Sequence, residues 1–400
     1  MAQHTTPKLR FPEFSGAWEK DRFGRIAEKS KEKYNPISSD NLPCIELDCI
    51  ESATGILLNT YNSNQQKSIK NRFYKNEILF GKLRPYLKKF YKPDFDGVCS
   101  SEFWVLRGKK LDNSFLYHII NSPKFNFEMN ITSGSKMPRA EWDYISEIVF
   151  NFPTLPEQQK IASFLSAADK KLEQLQQKKT LLEQYKKGMM QKLFSQQIRF
   201  KDDEGKDFPE WEEVQLKDIL YEHKERNLNK QIDEVFSVAK HKGVVNQIEH
   251  LGRSYAADDT SNYKAVYPFD VIYTKSPTSD FPFGIIKQNK TGRKGIVSTL
   301  YGVFTPKNQN IGLILDTYFA TWENTYNYLN PLVQKGAKNT MNINNEDFLN
   351  GAYLKIPSSE KEQTKIAEFL TAIDAKIAAV SAQVAAAKGF KKGLLQQMFV

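Results

Sequence analysis

EQQKIASFLSAADKK opens the stretch Glu157–Phe194, and EQTKIAEFLTAIDAK opens Glu362–Phe399; together they decide the fold. At a shift of 205 residues, 15 of the 38 aligned positions are identical, and the stretches end alike, on YKKGMMQKLF and FKKGLLQQMF. Such a repeat is sought first, because missing it misassigns the whole architecture. The first stretch sets Ile161, Leu165, Ala168, Leu172, Leu175, Lys179, Leu182, Lys186, Met189 and Leu193 at alternating steps of four and three. The second sets Ile366, Leu370, Ile373, Ile377, Val380, Val384, Ala387, Lys391, Leu394 and Met398 at the same steps. This 3.5-residue apolar period, held for over four heptads, predicts a coiled coil. Pro153 and Pro156 before the first helix, and Pro357 before the second, mark their starts. At 1.5 Å per residue each helix is about 57 Å long. With a domain's length of chain between them, the helices pair most simply antiparallel. Ile161, Leu165, Leu172, Leu175 and Leu182 of one, and Ile366, Leu370, Ile373, Ile377 and Val380 of the other, are expected to carry the pairing. The plainer alternative is two amphipathic helices, each lying on its own domain. Gly188 and Gly393 are expected to mark a kink or fraying point, and Lys179 and Lys186 to snorkel to the seam's edge.

The repeat extends upstream more weakly. At a shift of 193, Trp18-Glu19 matches Trp211-Glu212, and Tyr74-Lys-Asn-Glu-Ile-Leu-Phe80 matches Tyr267-Pro-Phe-Asp-Val-Ile-Tyr273. Gly97-Val-Cys-Ser100 resembles Gly295-Ile-Val-Ser298, and Gly134-Ser-Lys136 resembles Gly336-Ala-Lys338. The chain therefore divides into a first mixed domain with its lead-in (1–152), a central helix (153–197), a second mixed domain with its lead-in (198–356) and a C-terminal helix (357–400). The fold class is α+β: two mixed α/β domains separated by two long antiparallel coiled-coil helices, a pseudo-twofold internal repeat. Within the domains, Glu77–Phe80, Phe103–Leu106, Ile145–Phe152, Val271–Thr274, Gly284–Lys287 and Gly295–Phe304 read as strands. Asn113–Asn121 and the region around Asp316–Asn330 read as helices.

Composition narrows the function. A 40% apolar, 12% aromatic chain folds, and a net charge of +10 favours a polyanionic partner without proving one. The polar start, Met1–Arg10, has no apolar core behind its basic residues, so no signal peptide is expected there, and no apolar run approaches 18 residues, so no membrane span is expected. Cys44, Cys49 and Cys99 lack CxxC spacing and read as reduced thiols of a cytoplasmic protein. His4, His118, His223, His241 and His250 form no ligand cluster, so no metal is expected. There is no Asn/Asp-Pro-Pro-Tyr/Phe tetrapeptide for amino methylation and no GxxxxGK[ST] phosphate loop. Glu-x-Lys tripeptides stand at Glu204–Lys206 and Glu222–Lys224, but a nuclease of that type also needs an acidic partner on a neighbouring strand.

Both domains place cations and hydroxyls after the same strand. The first has FGKLRPYLKKF at Phe80–Phe90; the second has YTKSPTS at Tyr273–Ser279, then Lys287, Lys290, Arg293 and Lys294. Lys and Arg neutralise phosphates, and Ser and Thr bond phosphates or base edges. DNA-contact candidates are Lys82, Arg84, Lys88, Lys89, Ser101, Lys136 and Arg139 in the first domain. In the second they are Thr274, Lys275, Ser276, Arg293, Lys294, Lys335 and Lys338. For any one of these lysines, a solvated surface charge is an equal alternative.

These residues carry a resemblance. FGKLRPYLKKF with GVCSSEFWVL at Gly97–Leu106, YTKSPTSDFPFGIIK with GIVSTLYGVF at Gly295–Phe304, and the paired EQ(Q/T)KIAxFL helix openings resemble the specificity subunit of type I restriction–modification enzymes. The second opening carries one extra residue after its proline, and the second loop lacks the Leu-Arg-Pro of the first. The resemblance implies that each mixed domain is a target recognition domain for one half of a bipartite, asymmetric double-stranded DNA site. It implies that the helices set the gap and dock two methyltransferase subunits, which bind S-adenosylmethionine. Two restriction/translocase subunits using ATP and Mg would join them, and this chain would catalyse nothing and bind no cofactor. A stand-alone DNA-binding adaptor or anti-restriction protein of the same fold is the alternative, and a purely structural helix-pairing protein is a third.

Overall fold

The computed structural model describes residues 6–37, 40–131, 136–240, 242–278, 280–335 and 341–399. The chain forms two compact units, one of residues 1–178 with 380–400, the other of residues 179–379. Each unit contains one mixed domain and one half of each long helix.

In the first unit, Glu19–Arg22 pairs antiparallel with Val149–Phe152, so the domain is closed by its own two ends just before the central helix. A four-stranded antiparallel sheet runs in the order Ala27–Lys29, Phe103–Gly108, Ile78–Gly81, Phe90–Tyr91. A five-stranded sheet holds Lys33–Tyr34, Lys70–Phe73, Gly97–Cys99, Pro43–Ile45 and Tyr61–Asn62, with one parallel pairing between Pro43–Ile45 and Gly97–Cys99. Between sheet and helices lies an aromatic core that includes Phe23, Phe80, Trp104, Phe125 and Phe150.

The second unit repeats this plan. Glu212–Val214 pairs with Leu354–Ile356 to close it. Its four-stranded sheet has the order Leu220–Glu222, Tyr301–Pro306, Val271–Thr274, Ile285–Gln288, strand for strand that of the first unit. Lys264–Val266 pairs with Gly295–Val297 as Lys70–Phe73 pairs with Gly97–Cys99. The fold class expected from the repeat is borne out.

Three expected elements differ. The run at 145–152 is the end of a helix, Trp142–Glu147, followed by the strand Val149–Phe152; Ile145 is buried on the helix. The run at 295–304 is two strands in different sheets, Gly295–Val297 and Tyr301–Pro306. Ser298 breaks it, its carbonyl accepting from Tyr301 N (3.1 Å) and its hydroxyl from Leu300 N (3.3 Å). The helix around 316–330 is two, Gln309–Tyr318 and Trp322–Leu329, separated because Thr321 caps the second.

The long helices span Leu155–Phe194 and Glu360–Met398. All the seam positions named above are buried or half-buried. In the first unit Ile161 and Leu165 share a core with Leu394 and Met398. In the second Met190 and Leu193 share one with Ile366 and Leu370. The beginning of each helix thus meets the end of the other, which is the antiparallel sense. Gly188 and Gly393 cause no break. The seam lysines do more than snorkel: Lys186 pairs with Asp374 in the second unit (2.5 Å), and Lys391 with Asp169 in the first (2.6 Å). These two pairs are each other's images at the 205-residue shift.

The helix openings explain their shared Glu-Gln. Glu157 is buried and receives Arg10 through two contacts (2.7 and 2.8 Å) and the Trp18 indole (3.2 Å). Glu362 is buried and receives Arg199 (3.3 and 2.9 Å). Gln158 donates to the Pro153 carbonyl (2.8 Å) and accepts from the Asp112 amide (2.8 Å). Gln363 donates to the Pro357 carbonyl (2.7 Å) and accepts from Asn308 Nδ2 (3.0 Å). Asp112 and Asn308 are themselves the caps of Asn113–Ile120 and Gln309–Tyr318.

The expectation that no segment could cross a membrane needs one amendment. By length and composition alone, Glu360–Met398 could do so, with a mean hydropathy of 1.3 over its most apolar 18-residue window. Its alanines raise that average, whereas Asp374 is paired with Lys186, and Ile366 and Leu370 are buried in a protein core. The cysteines are free, as expected, and all three are also buried; burial pushes the Cys44 thiol up to about 12.

Removing Arg10 leaves Glu157 buried without its cation, a change that costs about 3 kcal/mol for a paired interior charge. Arg10→Ala is expected to lower the denaturant midpoint of the first unit, and the added change Glu157→Leu to recover much of the loss. An equal loss in both variants would refute the pairing as a stabiliser.

A second prediction concerns acid. Burial first, then Lys391 and Lys92, depress the His118 imidazole from its ordinary 6.5 to about 3. Between these values the unfolded chain binds a proton that the folded chain does not, so stability falls as pH drops through that window. His118→Met, which cannot titrate, is expected to show a shallower loss of unfolding midpoint between pH 7 and pH 4.5 than the wild type. Identical slopes would overturn the assignment.

Candidate nucleic-acid interface

In the first unit the loop after Ile78–Gly81 is built against a second loop. Leu83 and Arg139 form an antiparallel bridge, Ala140 N donates to Lys82 O (2.8 Å), and Arg84 N donates to Pro138 O (2.7 Å). Lys82 N donates to Glu102 O (2.9 Å). Lys82, Arg84, Ser101, Lys136 and Arg139, which the sequence scatters over 58 residues, thereby share one edge. Arg84, Ser101, Lys136 and Arg139 are exposed there. Arg139 is already engaged by both oxygens of Glu102 (3.1 and 3.2 Å), so its charge is locally compensated.

Lys88 and Lys89 do not join this edge. Lys89 donates to the Ile50 carbonyl. Lys88, in the left-handed region at φ +50°, lines a cleft of about 950 Å³ with Gly55, Phe90, Tyr117, Asp169 and Lys391.

In the second unit Lys275 occupies the place of Lys82, at the 193-residue shift. It is half-buried, and burial, then the nearby Lys264, holds its ammonium below the usual lysine range. It lines a recess of about 370 Å³ with Tyr273, Pro277, Pro282 and Phe283. Ser276 is exposed beside it, whereas Thr274 is buried in the strand and accepts from Ser276 N (3.3 Å). Arg293 and Lys294 lie elsewhere. They precede Gly295, at the Asp270 end of the Val271–Thr274 strand, whereas Lys275 follows Thr274 at the other end. Arg293 is clasped by Glu249 (2.9 and 3.1 Å) and Glu234 (3.1 Å). Lys287 and Lys290 both pair with buried Asp316; burial alone would raise its pKa, but the two ammonium groups hold it below the carboxylate range. The backbone of Lys335 sits in the Gln334–Lys335 strand. Gly134, Gly336, Lys338, His4 and His241 lie outside the described residues.

Sequence reading missed a matched basic run. Lys31-Glu32-Lys33 recurs as Lys224-Glu225-Arg226 at the same shift of 193 that aligns Lys82 with Lys275. It was findable by extending that alignment upstream. Lys31 and Lys33 contribute with Lys82 to the field that, after burial, lowers Lys29. Lys224 and Arg226 act likewise on Lys264. Glu222–Lys224 is thus one side of a basic edge, and among the described residues no three His, Cys, Asp or Glu side chains converge to hold a metal.

Two closed domains, each with a basic edge at one end of a four-stranded sheet and each rooted in a long helix, define a duplicated scaffold. Residues 17–184 match the family of the type I restriction modification DNA specificity domain. The chain is 30% identical over 153 residues to the type I restriction enzyme EcoDI specificity subunit of Escherichia coli, covering 38% of this chain and 34% of that one. It is 31% identical over 131 residues to the MjaVIII specificity subunit of Methanocaldococcus jannaschii, covering 31% of each. These matches span about a third of the length of the relatives. The S subunit of a type I restriction–modification system from M. genitalium has the same fold over 99% of both chains (TM-score 0.61, 13% identity). So does a chain from a structure of type I R-M complex assembly, over 95% of this chain and 97% of that one (TM-score 0.54, 17% identity).

Proposed function

We propose that this chain is the DNA-sequence-specificity subunit of a type I restriction–modification complex and catalyses no reaction itself. The observation that carries this is the duplication of one basic edge: Lys82 and Lys275 follow the same strand of the same sheet in two diverged domains. Each domain binds one half of a bipartite, asymmetric double-stranded site. Lys82, Arg84 and Lys136 are the first domain's main contacts, and Lys275 and Ser276 the second's. Arg139 reaches DNA from the first domain's edge on leaving its carboxylate, whereas Arg293 and Lys294 stand at the other end of the strand from Lys275. Backbone contacts fix register, and base-edge contacts supply specificity. The paired helices set the gap between half-sites and dock two methyltransferase subunits, with two restriction/translocase subunits joining for cleavage. This chain holds no cofactor; S-adenosylmethionine, ATP and Mg belong to the partners, and the complex works in the cytoplasm, away from any membrane.

Domain exchange tests this reading. Residues 20–150 from a relative with another target, placed in this chain and expressed with its methyltransferase partner, are expected to yield a hybrid methylation motif. Single-molecule methylome sequencing reads both halves at once. One half should change and the other stay. A motif altered in both halves, or no motif in a complex that assembles, would sink the assignment of one half-site to each domain.

A further inference from the structure

The run Lys31-Glu32-Lys33 and its counterpart Lys224-Glu225-Arg226 are built alike in detail. In the first unit the Glu32 carboxylate accepts from the Tyr74 hydroxyl (2.7 Å), and its backbone carbonyl accepts from Arg72 N (3.1 Å). In the second the Glu225 carboxylate accepts from the Tyr267 hydroxyl (2.7 Å), and its carbonyl accepts from Ala265 N (3.0 Å). Each tyrosine is held in turn by a buried carboxylate, Glu77 or Asp270, which accepts from its backbone N–H (2.7 Å in both). Each hydroxyl keeps its proton, because bonding to the glutamate raises its pKa.

We propose that Lys31 with Lys33, and Lys224 with Arg226, grip DNA phosphates without reading sequence, each middle glutamate being tied aside by its tyrosine. The inference rests on the reading of both domains as DNA-binding. Lys33 pairs with Asn71 at the start of its strand, Arg226 bridges Lys264, and the preceding glutamate carbonyls accept from the same partner strands; where chain runs extended in this way, residues two apart share a face and the residue between them points away. The tyrosine bridge fixes that middle carboxylate, which would otherwise repel phosphate and neutralise its neighbours.

The cations on the other face stay uncompensated. Lys33 is oriented by the Asn71 amide oxygen (2.6 Å) and Arg226 by that of Asn262 (2.9 Å), neutral acceptors that position a charge without cancelling it. Lys31 and Lys224 are exposed and have no hydrogen bond or ion pair among the described residues. Arg139 and Arg293, clasped by carboxylates, are the contrast. The duplication supplies the last step. Two domains that read different half-sites can share only what does not depend on sequence, and that is the phosphate backbone.

The test uses the full chain assembled with its methyltransferase partner, and measures binding to the methylated motif's duplex and to a scrambled one across salt concentrations. Each lost phosphate contact lowers the slope of log affinity against log salt by about 0.9. Lys31→Ala with Lys33→Ala, and separately Lys224→Ala with Arg226→Ala, are expected to lower it by up to about two, leaving the ratio between the duplexes unchanged. Tyr74→Phe is expected to weaken both duplexes equally, and Glu32→Gln added to it to restore them, which a merely structural hydroxyl would not do. Unchanged slopes in variants with wild-type melting would overturn the grip, as would a relaxed motif at an unchanged slope. A wild type that binds both duplexes equally, with slopes that still fall in the variants, would overturn sequence reading and leave the grip standing. Failure of the wild-type complex to bind DNA at all would overturn both.

Discussion

A buried carboxylate at the start of each long helix organises the molecule. Glu157 and Glu362 sit where a helix leaves its domain, and neither tolerates burial without a cation. Arg10 and Arg199, carried on the segments that lead into the two domains, supply it. The same turn presents Gln158 or Gln363, whose amide bonds to the proline-bearing approach and to the cap of the first helix after the sheet. One helical turn therefore gathers the lead-in, the closing strand and the sheet-covering helix of its unit. The domain's two ends are thus held together at the point from which the helix departs.

That rigidity matters for the far side of each domain. A site placed on strands and backed by a packed core holds its geometry better than one on a free loop. Lys82 and Lys275 leave an inner strand of a four-stranded sheet that packs on a core including Phe80 and Phe125 in one unit and Tyr273 and Phe304 in the other. The structure also sorts cations by their partners. Those facing carboxylates stabilise the fold locally, and those facing amide oxygens or solvent keep their charge for an outside anion. Composition alone, with its +10 excess, makes no such distinction.

The helices and the duplication were legible because they depend on period and repetition, which a sequence states outright. Ile161 and Ile366 fall on a seam by spacing alone. Arg139 and Arg293 could not be judged, since Glu102 and Glu249 reach them across 37 and 44 residues. Lys88 and Lys89 were grouped with Lys82 by adjacency, but the left-handed turns at Arg84 and Lys88 send them elsewhere. The Tyr74–Glu32 tie spans 42 residues, as does Tyr267–Glu225. Only the two copies side by side reveal it as a pattern.

The seam ion pairs have an implication for ancestry. Asp169 meets Lys391, the image of Lys186, and Lys186 meets Asp374, the image of Asp169. Each helix thus carries both the acid and the base of the lock, seventeen residues apart, and is complementary to a reversed copy of itself. A polypeptide bearing one domain and one helix would satisfy its own seam by isologous pairing with an identical molecule. Tandem fusion of such a gene would preserve every contact while freeing the two domains to diverge, turning a symmetric homodimer into a single chain with two different ends.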